Sequence, residues 1–289
     1  MDERSVLALL TDWLPAAGDD AAVVDDIVIS TDMLHRQTDF PDGVTPRTIG
    51  WRAVGASLSD IAAMGAEALA AVAAYGAPTF DRDDIESFVD GATAVCDSCG
   101  ARYVGGDLDT HQELTVTSTA IGRTADPVYR HGASPGDSIY VTGSFGRTAA
   151  AVRLFERNDL ERANDLFRFP PRVETGRSVA AAATAMIDSS DGLARSLHQL
   201  ATASDCGISI DSDAVPVHPA IDDVTHGPTD TRELVQHFGE DFELVFTAPE
   251  DAGLDASTGV PITRIGTVTD DGIERDGNAL PNQGYDHGS

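Results

Sequence analysis

Five acidic clusters set beside glycine, serine or threonine constrain this chain more than any other feature, because the chain contains no lysine. They read Gly18-Asp19-Asp20, Ser30-Thr31-Asp32, Ser59-Asp60, Gly105-Gly106-Asp107 and Asp188-Ser189-Ser190-Asp191-Gly192. Asp20, Asp32, Asp107 and Asp188 are each expected to follow a strand-like run. Asp60 is expected inside a helix, on its small-residue side. Strand ends are where sites are built, and carboxylates gathered there from distant segments would repel one another. They coexist around cations, and short oxygen ligands suit hard divalent ions such as Mg2+.

Raw acidity is not the signal. Among 289 residues, 48 acids face 19 arginines, for a net charge of -29. That charge argues against binding nucleic acid or an anionic membrane surface. It also implies strong self-repulsion, which concentrated salt screens, since the Debye length is about 3 Å at 1 M. The composition resembles that of proteins from salt-loving organisms, so most of the acids read as solvated surface. No run of about 18 apolar residues appears, and no transmembrane helix is expected. No long apolar stretch follows Met1-Asp2-Glu3-Arg4, so no secretory signal is read there and a cytoplasmic location is expected. Of three cysteines, Cys96 and Cys99 form a lone CxxC without a second ligand pair at zinc spacing. They read as buried thiols on a helix face, and Cys206 reads as core.

The order of elements predicts an α+β chain in two domains, 1–125 and 126–289. Ala21–Ile29 reads as strand broken by a turn at Asp25-Asp26, and Leu34–Arg47 as loop. Trp51, Val54, Leu58 and Ile61 recur at helical spacing, opposite a small-residue face of Ala53, Ala56, Ser57 and Ala63. Leu69–Ala74 reads as strand. A second helix starts at Asp81–Asp84, where acids suit the macrodipole, and closes at Gly100. Arg102–Val104 reads as a short strand ending in Gly105-Gly106-Asp107. Leu114–Ile121 alternates as a strand with Thr115, Thr117 and Thr119 on one face. The segment 122–136 is the boundary candidate. Beyond it, Ser138–Val141, Ala185–Ile187, Gly207–Ile210 and Phe242–Phe246 read as strands. Helices are expected from Arg147, over Arg172–Thr184 and over Leu193–Ser204, and the last stretch, ending in Gly284-Tyr285-Asp286-His287, is rich in Gly, Pro and Asp.

The missing lysine excludes two common phosphate-binding designs. A P-loop needs its Gly-Lys-Ser/Thr, and a protein kinase needs a strand lysine. A phosphoryl-transfer protein built from this chain must neutralise charge with metal ions and arginine. Gly18, Gly105 and Gly106 would let backbone N–H groups approach phosphates.

Taken in order, GDDAAVV, STDM, SLSDIAAMGA, GGDLD, YRHGASPGDSIYVTG, IDSSDGL, SDCGISID and GEDFELVF resemble the thiamine-monophosphate kinase family. That family sits in the aminoimidazole ribonucleotide synthetase (PurM-like) superfamily. The resemblance runs from Gly18 to Asp286. It implies ATP- and Mg2+-dependent phosphorylation of thiamine monophosphate to thiamine diphosphate. It implies an N-terminal ATP-binding α+β domain forming a dimer barrel, a C-terminal α/β domain, and a homodimer. By position, Asp20, Thr31, Asp32, Asp60, Asp107 and Asp188 resemble metal ligands, with Ser30 and Asp191 in the same shell. Gly106, Asp107, Arg130 and Ser190 match nucleotide contacts, and Glu240 and Tyr285 match substrate contacts. No catalytic side chain is implied beyond these. Two positions depart from the pattern. Asp39 stands where some members place a substrate-contacting histidine, and Phe238 stands where a glycine is frequent.

Other readings remain open at this point. Aminoimidazole ribonucleotide synthetase itself shares the fold, although Gly-Glu-Asp-Phe-Glu and Gly-Tyr-Asp favour the thiamine enzyme. Selenophosphate synthetase uses an N-terminal cysteine or selenocysteine with a lysine, and here no cysteine precedes Cys96. A non-catalytic cation- or nucleotide-binding protein would use the same scaffold.

Overall fold

Strict alternation in Ile27–His35 sets the first layer: Val28 and Ser30 are buried while Ile29, Thr31 and Met33 face outward. A computed structural model describes residues 10, 13–14, 17–254 and 257–284. Its first half contains β1 (Ala22–Val24), β2 (Ile27–His35), α1 (Arg36–Asp39), α2 (Pro46–Ala63), β3 (Glu67–Ala77), α3 (Arg82–Ser98), β4 (Arg102–Thr110) and β5 (Thr115–Arg123). The strands form one sheet in the order β1-β2-β5-β3-β4, antiparallel except for the parallel β3–β4 pair. In β5, Val116, Ser118 and Ala120 are buried and the threonines lie on the other face, as the alternation predicts.

Helices α2 and α3 cover the buried face. Helix α2 starts where Thr45 accepts the Thr48 N–H and Pro46 takes the first turn. Fourteen of its eighteen residues are buried. One side lies against β2, β3 and β5, and the other against the second half of the chain. Burial all round explains its small residues: a one-sided helix would carry a polar face. Its crossing with α3 needs glycine, because a Cβ on Gly91 would come within 1.9 Å of the Arg47 carbonyl oxygen.

The second half contains β6 (Ser138–Thr142), α4 (Arg147–Glu156), α5 (Leu160–Phe167), α6 (Val173–Val179), β7 (Ala185–Asp188), α7 (Leu193–Ser204), β8 (Gly207–Ile210), α8 (Pro228–Gln236), β9 (Leu244–Ala248), β10 (Ile262–Thr269), β11 (Ile273–Arg275) and β12 (Asn278–Ala279). Its strands form a mixed seven-stranded sheet ordered β12-β11-β8-β10-β6-β9-β7. Helix α7 buries Leu193, Leu197, Leu200 and Ala201 at helical spacing. Residues of α2 touch both α6 and β7, so this one helix joins the two halves. Among the described residues, no helix is long and apolar enough to cross a membrane.

Several expectations are corrected. The stretch 34–47 is not all loop: β2 runs to His35, α1 follows, and the Thr45-Pro46 start signal opens α2. Strand β4 does not end at Val104 but continues through both glycines to Thr110. Gly106 belongs inside the strand because a Cβ there would lie 1.7 Å from the Ala73 carbonyl oxygen. Asp20 precedes β1, Asp32 lies within β2 and Asp107 within β4, so Asp188 alone ends a strand. The 172–184 helix is only Val173–Val179. The strand expected from Phe242 starts at Leu244, because Glu240 and Phe242 take positive φ of 66° and 52°. Cys96 is buried but Cys99 is only partly so, at the helix C-cap.

Gly91→Ala should destabilise the fold by about 1–3 kcal/mol through overpacking at the helix crossing. A denaturant midpoint equal to that of the unsubstituted chain would contradict the crossing described.

Candidate active site

Four segments deliver carboxylates to one place at the junction of the two halves. The loop before β1 supplies Asp20, β2 supplies Asp32, α2 supplies Asp60 and the end of β7 supplies Asp188. One oxygen from each of Asp20, Asp60 and Asp188 can be chosen so that all lie within 4.8 Å of one another. Each acid also has a donor from a different element. Ser59 Oγ donates to Asp188 Oδ2 at 2.6 Å, Ser57 Oγ to Asp32 Oδ2 at 3.0 Å, and Ser30 Oγ to Asp60. Arg130 Nη2 donates to Asp20 Oδ1 at 2.6 Å.

Burial and crowding hold Asp32, Asp60 and Asp188 above the ordinary carboxylate range. Burial, then the neighbouring Asp20 charge, pushes Asp188 up to about 8. Burial, then the charges of Asp32, Asp188 and Asp20, raises Asp60 well above its usual value. Burial raises Asp32 as well, against the lowering effect of its hydrogen bonds from Ser57 and Asp60. Asp20 Oδ2, Asp188 Oδ1 and Ser189 Oγ are buried without a hydrogen-bond partner. Buried polar atoms are seldom left in that state, and converging oxygens without donors are what a hard divalent cation requires. The donor set therefore fits Mg2+.

The other expected metal residues do not all lie at this core. Thr31 Oγ1 donates to the Ser118 carbonyl at 2.8 Å, from the outward face of β2. Asp191 is half-buried in the loop between β7 and α7. Gly106 shares a register row with Ala73, Ser118 and Asp32 across the sheet. Asp107 belongs to the next row, with Ala74, Thr117 and Met33, which places it on the exposed face opposite Asp32. Within one chain it does not join Asp20, Asp60 and Asp188.

The Gly239-Glu240-Asp241-Phe242-Glu243 segment is stitched to the Asp188 loop. Glu240 N–H donates to the Ser190 carbonyl at 2.6 Å, and Ser189 N–H to the Glu243 carbonyl at 2.8 Å. Its three acids already have protein partners. Glu240 accepts from Arg52 at 2.8 Å, and the guanidinium lies 3.7 Å over the Phe167 ring. Asp241 accepts the N–H groups of Gly146 and Thr148, capping α4 from a distant loop, and burial pushes it up to about 7. Glu243 takes a two-point contact from Arg172 and the Thr142 hydroxyl. Beside them lies a cavity of about 190 Å³ walled by Phe40, Phe167, Phe238, Asp39 and Glu240. Tyr285 lies outside the described residues.

Sequence reading missed Asp19, Ser57, Arg52 and Arg172. Ser57 and Ser59 do carry a signal: they lie four and two residues before Ile61 in SLSDIAAMGA, serines within a run of small and apolar residues. Arg52, almost fully buried, is unmarked in the sequence.

The sequence pattern of the AIR synthase related protein N-terminal domain matches residues 18–124, and that of the C-terminal domain matches 134–276. The thiamine-monophosphate kinase of Halobacterium salinarum is 56% identical over 99% of this chain and 100% of its own length. That of Methanospirillum hungatei is 41% identical over 99% of both. The solved structure of AaThiL complexed with AMPPCP and TMP superposes with a TM-score of 0.91 at 25% identity, covering 99% of this chain and 97% of that one.

A cluster of carboxylates raised by burial makes stability fall with pH. The folded chain holds more protons than the unfolded one between 3.8 and about 8, so stability drops as pH rises through that window. Without divalent metal, the melting temperature should fall across it, and saturating Mg2+ should flatten the profile. The same slope with and without Mg2+, or in Asp188→Asn, would place the effect elsewhere.

Proposed function

The chain belongs to the thiamine-monophosphate kinase family of AIR synthase related proteins, and from that premise we propose how its residues carry out the reaction. It phosphorylates thiamine monophosphate with ATP as donor. The observation that carries the assignment of the site is the buried Asp20, Asp60 and Asp188 group with its unpartnered oxygens.

The acceptor oxygen belongs to a phosphate already ionised at neutral pH, so no strong general base is needed. We read the step as direct in-line attack of that oxygen on the γ-phosphorus of ATP, with ADP leaving and thiamine diphosphate formed. Asp20, Asp60 and Asp188 would hold Mg2+, with Asp32, Ser30 and Asp191 around them, while Thr31 and Asp107 would reach metal only from the outward face of the sheet. When bound, Mg2+ supplies the positive charge that neutralises the phosphates and the charge developing on the transferred group. The chain's own work is positioning. Serine donors from α2 fix Asp32 and Asp188, and Arg130, Ser190, Gly106 and Asp107 are assigned to the nucleotide. The cavity beside Glu240 is assigned to thiamine monophosphate. Its aromatic walls and paired acids suit a cationic ring, a contact worth on the order of 0.5–2 kcal/mol. Tyr285 keeps its expected role as a second substrate contact.

A homodimer is part of this reading. The outward face of the first sheet carries Ile29, Met33, Val72 and Ile121, all at least 37% exposed. Four apolar side chains on one exposed sheet face favour a partner. A second copy packed there would also cover the face that bears Asp107. The two domains are taken as 1–125 and 126–289. A cytoplasmic location is consistent with three free thiols, which a reducing compartment preserves.

Asp188→Asn should lower thiamine diphosphate formation from thiamine monophosphate, ATP and Mg2+ in molar KCl on the order of 100-fold or more, with the fold retained. A near-normal rate would remove Asp188 from the site. Met33→Glu with Ile121→Glu should give monomers in sedimentation velocity, and an unchanged dimer would move the interface to another surface.

A further inference from the structure

Arg130 occupies one oxygen of a carboxylate that would also hold a metal ion. Its guanidinium reaches Asp20 at 2.6 Å, and the Asp20 side chain in that pair is only 1% exposed. The Asp20 and Asp19 carboxylates, with Asp188 behind them, raise the Arg130 pKa against the opposing effect of burial. The arginine main chain is pinned. Its N–H donates to Asp19 Oδ2 at 3.0 Å, and its carbonyl accepts from Ser204 Oγ at 3.3 Å. Asp19 Oδ1 also accepts the Asp20 N–H at 3.0 Å, so one carboxylate fixes the backbone of both partners. Only the side chains are left to move.

The pair is incomplete. Guanidinium and carboxylate can make two parallel hydrogen bonds, yet here one is made. Arg130 Nε and Asp20 Oδ2 are both buried without a hydrogen-bond partner, as is Asp188 Oδ1. Arg130 Nε has the Asp19 carboxylate 3.9 Å away, an ion pair beyond hydrogen-bond reach, and Asp20 Oδ2 has no donor. A divalent ion would satisfy those oxygens better. Once it binds, it repels a guanidinium held on the same carboxylate. Arginine cannot relieve that repulsion by losing a proton, so relief requires its side chain to move off Asp20 Oδ1.

We propose that Arg130 is a resident counter-ion of the carboxylate cluster, which a divalent cation displaces from Asp20, releasing the guanidinium toward the nucleotide, with Asp19 as the positioning residue that fixes the pivot. This rests on the assignment of Asp20 to metal and Arg130 to nucleotide. Metal and nucleotide binding are then coupled: the metal frees the group that the nucleotide needs.

The test is calorimetric titration of MgCl2 into the nucleotide-free protein in molar KCl. Arg130→Gln removes the competitor and should tighten Mg2+ binding about tenfold, within the usual range of site-to-site coupling. Arg130→Lys keeps a cation and should stay near the unsubstituted affinity. Unchanged or weaker binding in a folded Arg130→Gln variant overturns the proposal while leaving the metal assignment intact. No Mg2+ binding to the unsubstituted protein overturns both. Should Arg130→Gln fail to fold, nitrogen-15 spectra of the unsubstituted protein decide. MgCl2 alone should shift the Arg130 Nε–H signal and speed its exchange with water, and an unmoved signal refutes displacement.

Discussion

Repulsion among Asp20, Asp32, Asp60 and Asp188 is the constraint on which the rest of this structure depends. Four acids from four segments meet at the seam of the two halves, and each is held by a donor from another element. Ser57 and Ser59 of α2 hold Asp32 and Asp188, Ser30 of β2 holds Asp60, and Arg130 holds Asp20. Buried polar groups stay where every partner is in place, so these bonds fix the relative placement of α2, β2 and β7 as well as the acids. The remaining unpartnered oxygens are the part the protein leaves for an ion.

Helix α2 is the element that makes this possible. It is buried against the first sheet and against β7 and α6 together, so Asp60 and its serines look toward both halves. The acids of the Gly239–Glu243 segment do a different task. Glu240 balances buried Arg52, Asp241 caps α4 and Glu243 pairs with Arg172. Each would be costly to bury alone, and each ties the segment to a separate element. Acidity in this chain thus has three uses: solvated surface, internal pairing and the cation site.

Much of this was legible in the sequence. The alternation of β2 and β5, the caps of α3 and the glycine-flanked acids identified the elements and most of the cluster. Period-2 and period-3.6 patterns report burial on one face, and those segments have one buried face. What was not legible has physical causes. Strand β4 passes through two glycines because β3 approaches Gly106 too closely for a side chain and Gly105 takes a φ of +137°, and a glycine pair alone reads as a strand end. Beyond β9, the eight-residue β10 has only Ile265 and Val268 buried, three residues apart, and β11 is three residues long, so neither shows an alternating pattern. Arg52 acts through distant partners that no local pattern marks, and nothing in Gly18-Asp19-Asp20 says that Asp19 holds the Arg130 backbone. Asp107 looked like a member of the cluster by spacing, yet a one-residue step along β4 turns it to the opposite face of the sheet.

Crystals of the protein soaked with Mn2+ and an ATP analogue, with anomalous scattering recorded at the manganese edge, test the central claim most directly. The account predicts an anomalous peak within bonding distance of Asp20, Asp60 and Asp188. Peaks confined to surface acids, with none at that cluster, would contradict it.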